Sequence, residues 1–158
     1  MPAKTIDRTP SADSYPLLIK NLLRNPVRQF PKQEIVYGDF RRQTYRELGE
    51  RVGRLASGLA GLGIKPGDTV AVMDWDSHRY LECFFAVPML GAVLHTVNIR
   101  LSPEQILYTI NHAEDDVILL NAEFLPILET IRDRIEPVKK LVLLNDADQA
   151  PTTVLDIA

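Results

Sequence analysis

Four short apolar runs, separated by helical patterns, restrict the fold of this chain more than any other feature of its sequence. The runs are TVAVM (69–73), AVLHTV (92–97), DVILLN (116–121) and KKLVLLND (139–146). Leu, Val and Ile dominate them, which is typical of parallel strands buried on both faces. Parallel neighbours need a crossover connection, and a helical pattern fills each gap. The sequence therefore predicts a three-layer α/β domain with a mostly parallel sheet flanked by helices.

Residue types that begin helices support this alternation. Thr44 with Glu47 and Ser102 with Gln105 both match the capping-box pattern. Helices are predicted over residues 15–30, 44–62, 78–90, 103–113 and 124–135, with the first one broken at Pro26. The third helix is expected to bury an apolar stripe formed by Leu81, Phe84, Phe85 and Pro88.

A short β-hairpin is predicted near the N-terminus, before the second helix. The segments EIVYG (34–38) and RRQTY (41–45) have strand composition, and Gly38-Asp39 between them is a turn pair. Residues 1–13 are polar and rich in Ser, Thr and Pro, so a flexible N-terminus is expected there. The folded domain is expected to span residues 14–146, after which the sequence turns polar.

Composition and charge narrow the function classes. The formal net charge is −3, with acidic and basic residues interspersed, whereas nucleic-acid-binding proteins usually carry a basic stripe. The single cysteine, Cys83, excludes an internal disulfide and suggests a reducing compartment. No secretory signal pattern opens the chain, and the longest apolar tract (84–97) is shorter than the roughly 20 residues of a membrane-spanning helix. We therefore expect a soluble, cytoplasmic protein without a nucleic-acid partner.

No local motif supplies a self-contained catalytic site. A Gly-rich phosphate loop follows none of the four apolar runs, and the three histidines are too widely spaced for a typical metal site. Cys83 lies beside two phenylalanines in a helical pattern, which is typical of a buried, unreactive thiol. The acids at 114–116 precede a predicted strand and are interpreted as solvated turn residues. The sequence therefore assigns no catalytic residue and no metal ligand.

Three polar residues at the end of AVLHTV and just after it have no required role in the predicted elements. His95 lies near the end of a predicted parallel strand, where ligand sites of α/β folds gather, although a hydrogen-bonded structural histidine is the more common case. Arg100 is suited to bind a ligand carboxylate or phosphate, or to pair with an acid of a neighbouring element. We take His95, Asn98 and Arg100 as candidates for the edge of a substrate site or for an interface.

Two long segments of the sequence resemble a known enzyme family. They are TYRELGERVGRLASGLAGLGIKPGDTVAVM (44–73) and HRYLECFFAVPMLGAVLHTVNIRLSPEQILYTINHAEDDVILLN (78–121). Both resemble the N-terminal part of the acyl-adenylate-forming enzymes, the AMP-dependent synthetases and ligases. The AVLHT segment and the NHAED ending look most like medium- and long-chain fatty acyl-CoA ligases. The resemblance runs from about residue 15 to residue 146.

The resemblance implies a parent enzyme that joins a fatty acid to AMP, releases pyrophosphate and passes the acyl group to coenzyme A, using ATP and magnesium. The phosphate loop and the later motifs of the family do not occur in this sequence. Residues 14–146 are therefore expected to form the N-terminal subdomain of a larger ligase fold, and residues 147–158 to begin a linker to the remainder. The 158-residue chain alone is expected to be inactive and to bind none of ATP, magnesium or CoA tightly.

The resemblance also sets the expected partners and the alternatives. The remainder of the ligase chain, a fatty acid and CoA are the expected partners, while a homodimer and a peripheral membrane contact stay open. One alternative is a ligase for aryl or short-chain acids, because the residues of the family's acyl pocket lie downstream. The other is a binding or assembly module that uses the same fold without catalysis.

Overall fold

The computed structural model describes residues 9–39, 41–145 and 153. In chain order the elements are α1 (Ile19–Gln29), β1 (Glu34–Tyr37), β2 (Arg41–Thr44), α2 (Tyr45–Gly61), β3 (Thr69–Met73), α3 (His78–Met89), β4 (Val93–Thr96), α4 (Pro103–Ala113), β5 (Val117–Asn121), α5 (Leu125–Ile131) and β6 (Lys140–Leu144). The expected linker at 147–158 and the first eight residues of the expected flexible N-terminus fall outside the described residues, apart from Thr153.

The sheet is parallel throughout and has the strand order β4-β3-β5-β6. β3 lies at the centre between β4 and β5, with Val72 opposite Thr96 on one side and Leu119 on the other. Each connection between these strands contains a helix, as crossovers between parallel strands require. The predicted α/β class and the parallel sheet are confirmed.

Alternate residues of the central strands face the two helical layers. Val70, Val72 and Leu119 pack in one cluster with residues of α2 and α3. Ala71, Met73, Ile118 and Leu120 pack on the other face with residues of α4 and α5. Every residue of β5 is buried, which explains why this run shows no polar alternation.

The hairpin and the helix caps that short sequence patterns predict are present in the structure. β1 and β2 pair antiparallel, with Ile35 opposite Gln43, and form the predicted hairpin. Both capping boxes are present, and the Ser77 side chain caps α3 by accepting a hydrogen bond from the backbone N–H of Tyr80.

Two helices differ from their predicted form. α1 continues through Pro26 to Gln29 instead of breaking there. The proline removes only the amide that would bind the carbonyl of Leu22, an exposed residue whose carbonyl water can solvate. The buried side chains of α3 are His78, Tyr80, Glu82, Cys83, Ala86 and Val87, not the predicted stripe. α3 contacts both the sheet and the α1–α2 layer, so its buried residues do not form a single stripe. Leu81 and Phe85 are only partly buried, and Phe84 is exposed.

No helix among the described residues is long and apolar enough to cross a membrane.

Candidate functional site

Polar side chains gather at the edge of the sheet where β3 and β5 end. Asp74 follows β3, and Asn121 is the last residue of β5. Because Met73 lies opposite Leu120 in the parallel register, the next residues of the two strands are side by side. The Asn121 amide Nδ2 donates a hydrogen bond to Asp74 Oδ1, and both residues are buried. The carboxyl ends of parallel strands are where α/β folds usually bind ligands.

Asp74 is the centre of this network. Its carboxylate also accepts hydrogen bonds from the backbone N–H of Trp75 (2.8 Å), from Ser77 Oγ (2.6 Å) and from Arg79 Nε (3.2 Å). A buried carboxylate is stable only when its charge is paired and its oxygens are hydrogen-bonded, and Arg79 supplies the opposite charge. Asp74 therefore fixes the β3–α3 turn and the cap of α3, and its oxygens are already engaged.

Trp75 and Glu123 extend the network toward the surface. The indole Nε1 of Trp75 donates to Glu123 Oε2 at 2.8 Å, and its ring packs on Phe124 with a centroid distance of 5.2 Å. The Trp75 side chain remains partly open to solvent. The Trp75 side chain forms the outer side of the polar edge where β3 and β5 end.

A cavity of about 250 Å³, which we call the rim cavity, opens between the β3–α3 turn and the residues that follow β4. Its lining residues are Asp74, Trp75, Asp76, Tyr80, Thr96, Val97, Asn98, Ile99 and Arg100. Burial raises the pKa of the Tyr80 phenol, although a hydrogen bond with Thr96 opposes this shift. The cavity thus presents an un-ionised phenol, the Asp76 carboxylate and a guanidinium.

The structure brings two of the three predicted candidates to the rim cavity. The side-chain Oδ1 of Asn98 accepts a hydrogen bond from the backbone N–H of Arg100 at 3.0 Å, which shapes the loop after β4. Within the described part of the chain, the exposed Arg100 guanidinium forms no hydrogen bond or ion pair. Asn98 therefore orients the loop, and Arg100 is available to a group outside it.

His95 lies apart from these two residues. In the register of the sheet it is the neighbour of Ala71, which faces α4 and α5. Its ring Nδ1 is 2.7 Å from Oδ2 of Asp115, a residue with no exposed surface. Burial raises the pKa of Asp115, and the contact with His95 opposes that shift. The pair links β4 to the loop after α4, as a structural histidine would.

The interpretation of residues 114–116 as solvated acids is wrong for two of them. Asp115 is buried against His95, and Asp116 accepts hydrogen bonds from the backbone N–H of Thr69 (2.9 Å) and from Lys139 Nζ (2.6 Å). Lys139 lowers the pKa of Asp116. Glu114 is exposed and adopts the left-handed conformation that ends α4. These roles depend on strands far away in sequence, so the local turn pattern did not reveal them.

Cys83 has the environment expected of an unreactive thiol. It is fully buried between α3 and the sheet, and burial raises its pKa to about 12. A thiol with such a pKa is almost entirely protonated at neutral pH, and the thiolate is the nucleophilic form. We therefore assign Cys83 no role in catalysis.

The described residues do not fit a triphosphate. The turn at the helix start after β3 holds the carboxylates of Asp74 and Asp76, which would repel phosphate oxygens, and it lacks a Gly-rich loop. Among the described residues, no three His, Cys, Asp or Glu side chains are placed to hold a metal ion. No step of chemistry is assigned to ATP or magnesium at these residues.

Sequence reasoning missed Asp74 and Asn121, the two buried polar residues that organise the sheet edge. A signal for them was present, since each stands where a buried apolar run ends. Polar residues at the ends of adjacent parallel strands meet at one edge of the sheet. The missing information was the strand order, which makes β3 and β5 neighbours.

Comparison with known proteins identifies related sequences. The sequence model described as "AMP-binding enzyme" matches residues 23–157. A long-chain-fatty-acid–CoA ligase of Thermus thermophilus is 42% identical over 130 residues, which cover 80% of this chain and 24% of that protein. A medium-chain-fatty-acid–CoA ligase of Ectopseudomonas oleovorans is 40% identical over 132 residues, covering 81% and 24%. A 3-methylmercaptopropionyl-CoA ligase of Ruegeria lacuscaerulensis is 38% identical over 140 residues, covering 86% and 26%.

Solved structures share the fold. A fatty acyl CoA synthetase of Mycobacterium tuberculosis superposes with a TM-score of 0.75 at 25% identity, covering 80% of this chain and 26% of that one. An anthranilate CoA ligase in complex with anthranoyl-AMP superposes with a TM-score of 0.77 at 24% identity, covering 82% and 26%, and supports the fold alone. The chain thus spans about a quarter of the length of the curated relatives it matches.

Proposed function

The chain belongs to the AMP-binding enzyme family, and from this membership we propose that it is the N-terminal part of a longer acyl-CoA ligase. In the proposed reaction, ATP, a carboxylic acid and CoA give acyl-CoA, AMP and pyrophosphate through an acyl-adenylate. Adenylation is needed because a free carboxylate is a poor electrophile, and AMP is a good leaving group. The observation that carries this proposal is similarity to CoA ligases at about 40% identity over four-fifths of the chain.

We propose a medium- or long-chain fatty acid as the substrate, because relatives named for such acids are 42% and 40% identical. A short-chain acid is the second candidate, since a 3-methylmercaptopropionyl-CoA ligase is 38% identical over a slightly longer stretch. An aryl acid has weaker support from a benzoate–CoA ligase of Arabidopsis thaliana that is 34% identical over 114 residues.

The described residues are proposed to support the chemistry rather than perform it. The contacts to the triphosphate of ATP, to magnesium and to CoA are assigned to other parts of the longer protein. The β3–α3 turn is acidic and would repel phosphate, and the oxygens of its Asp74 carboxylate are already engaged in hydrogen bonds. Accordingly, the 158-residue chain on its own is proposed to be inactive.

Turnover in the longer protein and in the 158-residue chain tests these proposals. Pyrophosphate release is measured with ATP, magnesium and CoA, and with acids from acetate to palmitate together with benzoate. We expect turnover only in the longer protein, with the highest kcat/KM for an acid of medium or long chain. A reaction without the acid is the control for ATP hydrolysis that is not coupled to acyl transfer. Turnover by the 158-residue chain, or no acid-dependent turnover in the longer protein, would contradict the proposal.

Asn98 and Arg100 are proposed to form the edge of the acyl or nucleotide site of the longer protein, or a subunit contact. Support comes from the rim cavity, where the exposed guanidinium is held by a loop that Asn98 orients. His95 is proposed to brace β4 through Asp115 rather than to meet a ligand.

Replacing Arg100 with Ala in the longer protein is expected to lower kcat/KM by about tenfold, as the loss of one charged contact would. Arg132→Ala, at another exposed arginine, is the control. Unchanged activity and unchanged stability in Arg100→Ala would reject the role of Arg100.

A further inference from the structure

A second cavity lies between the β1–β2 hairpin and the start of α3. Most of its lining residues differ from those of the rim cavity. This hairpin cavity has a volume of about 260 Å³. Ile35, Tyr37 and Gln43 line it from the hairpin, and Tyr80, Leu81 and Phe84 line it from α3. Its walls are mainly apolar, and the exposed side chains of Val36 and Phe84 stand among its lining residues.

Gln43 is the unusual residue of the hairpin cavity. Its side chain is only 3% exposed, yet neither Nε2 nor Oε1 has a hydrogen-bond partner among the described residues. The Nε of Arg41, two residues earlier on the same face of β2, is also buried without a partner there. Buried polar groups of native proteins are almost always hydrogen-bonded, because leaving one unsatisfied is destabilising. A buried carboxamide without a partner can form hydrogen bonds with a polar group that enters the cavity.

We propose that the hairpin cavity receives an extended segment of the longer protein's own polypeptide, whose backbone forms a pair of hydrogen bonds with the Gln43 carboxamide. A carboxamide offers one acceptor and two donors close together. The N–H and C=O of a single residue in an extended chain point to the same side and complement this pair, as they do in a β-ladder. Arg41 Nε supplies one further donor for a carbonyl of the same segment.

The volume of the hairpin cavity and the greater length of the relatives both favour a polypeptide segment as the occupant. Cavities that hold drug-sized ligands or cofactors measure roughly 300–1,000 Å³, so about 260 Å³ is small for a nucleotide or for CoA. It suits one apolar side chain and the adjoining peptide group. Because the chain spans about a quarter of its curated relatives, a long stretch of polypeptide is available. The inference therefore rests on the proposal that a longer protein exists, but not on its activity.

One substitution tests the proposal, because its effect on stability is expected to be opposite in the 158-residue chain and in the longer protein. In the 158-residue chain, Gln43→Leu replaces an unsatisfied polar group with an apolar one of similar size and is expected to raise the folding equilibrium constant about tenfold. In the longer protein the same change removes the partner of a buried backbone pair and is expected to lower that constant about tenfold. Urea unfolding measures both. Gln29→Leu, the same chemical change at an exposed site, is the control and should change neither by more than about twofold.

A crosslinking experiment in the longer protein keeps the proposal testable where the shorter chain does not fold. Val36→p-benzoylphenylalanine places a photoreactive group beside the cavity. Illumination followed by mass spectrometry is expected to show a crosslink to a residue beyond Ala158 of the same chain.

Several results would overturn the proposal. They are a change of the same sign in both lengths for Gln43→Leu, a crosslink only to a second copy of the chain, no crosslink at all, and a reading frame that stops after Ala158. Neither measurement depends on ligase activity. A protein that fails the pyrophosphate assay but shows the sign reversal would therefore refute the proposed reaction and keep this inference.

Discussion

Asp74 and Asp115 are both buried carboxylates, but their surroundings differ. Asp74 has the guanidinium of Arg79 beside it and accepts hydrogen bonds on both oxygens. Asp115 contacts His95 through Oδ2, while its Oδ1 has no hydrogen-bond partner among the described residues. Burial consequently raises the pKa of Asp115. Removing Asp74 should therefore be the more damaging change, because it breaks a satisfied network.

We expect Asp74→Ala to lower the free energy of unfolding by about 3–5 kcal/mol, the range for removing one partner of a buried ion pair. Arg79 and Asn121 would each lose a hydrogen-bond acceptor, and Ser77 would lose a contact that holds the cap of α3. Urea unfolding measures the loss. Asp76→Ala, which removes an exposed carboxylate two residues later, is the control and should stay within about 0.5 kcal/mol. Equal effects of the two changes would disprove the structural role of Asp74.

A pH-dependent prediction concerns Asp116. Because Lys139 and the backbone N–H of Thr69 lower its pKa in the folded state, the folded state binds the proton less readily than the unfolded state. The stability that the carboxylate contributes is thus present above its unfolded pKa of about 4, and it is lost as the pH falls through the lower folded pKa. Asp116→Asn should cost about 1 kcal/mol at pH 7, and its difference from the wild type should shrink steadily as the pH falls below about 4.

Unfolding at several pH values between 3 and 7 checks this convergence. Asp133→Asn, at an exposed carboxylate, serves as the matched control and should follow the wild type throughout. A constant difference between Asp116→Asn and the wild type over the whole range would show that the charge of Asp116 is not responsible.

At the scale of the elements, α4 depends on a cap that could be read from the sequence. The Ser102 hydroxyl accepts a hydrogen bond from the backbone N–H of Gln105, and the side-chain Oε1 of Gln105 accepts one from the backbone N–H of Ser102. We expect Ser102→Ala to lower the free energy of unfolding by about 1 kcal/mol, as loss of an N-cap typically does. Ser57→Ala makes the same change at an exposed position inside α2 and should be neutral or slightly stabilising. Thermal unfolding of both variants distinguishes the capping contribution from helix propensity.

The same elements show which structural features could be predicted and which could not. The capping boxes and the turn at Gly38 rest on residues close together in sequence, so their patterns gave the right elements. The buried face of α3 depends on two layers that pack against it at once, and a single apolar stripe predicted only part of that surface. Gln43 and Asp115 were missed for a related reason, since distant elements bury them.

At the scale of the whole molecule, apolar surface is concentrated near the start of α1. Leu17 and Leu22 are 93% and 69% exposed, and Tyr15, Leu18 and Ile19 are exposed beside them. Soluble monomers rarely expose contiguous apolar patches of this kind unless another surface covers them. In the isolated 158-residue chain, association between copies is one way to remove this surface from water.

We therefore expect the 158-residue chain to self-associate, with a light-scattering mass above the 17.8 kDa of one chain and rising with concentration. The double variant Leu17→Glu/Leu22→Glu should restore a single-chain mass, because it places charges within the apolar patch. Added charge alone also opposes association, so Ser57→Glu/Ala60→Glu, which adds the same charges on the exposed side of α2, is the control. If the patch drives association, the control keeps the higher mass. A wild-type chain that stays at 17.8 kDa at high concentration would show that the patch does not mediate self-association.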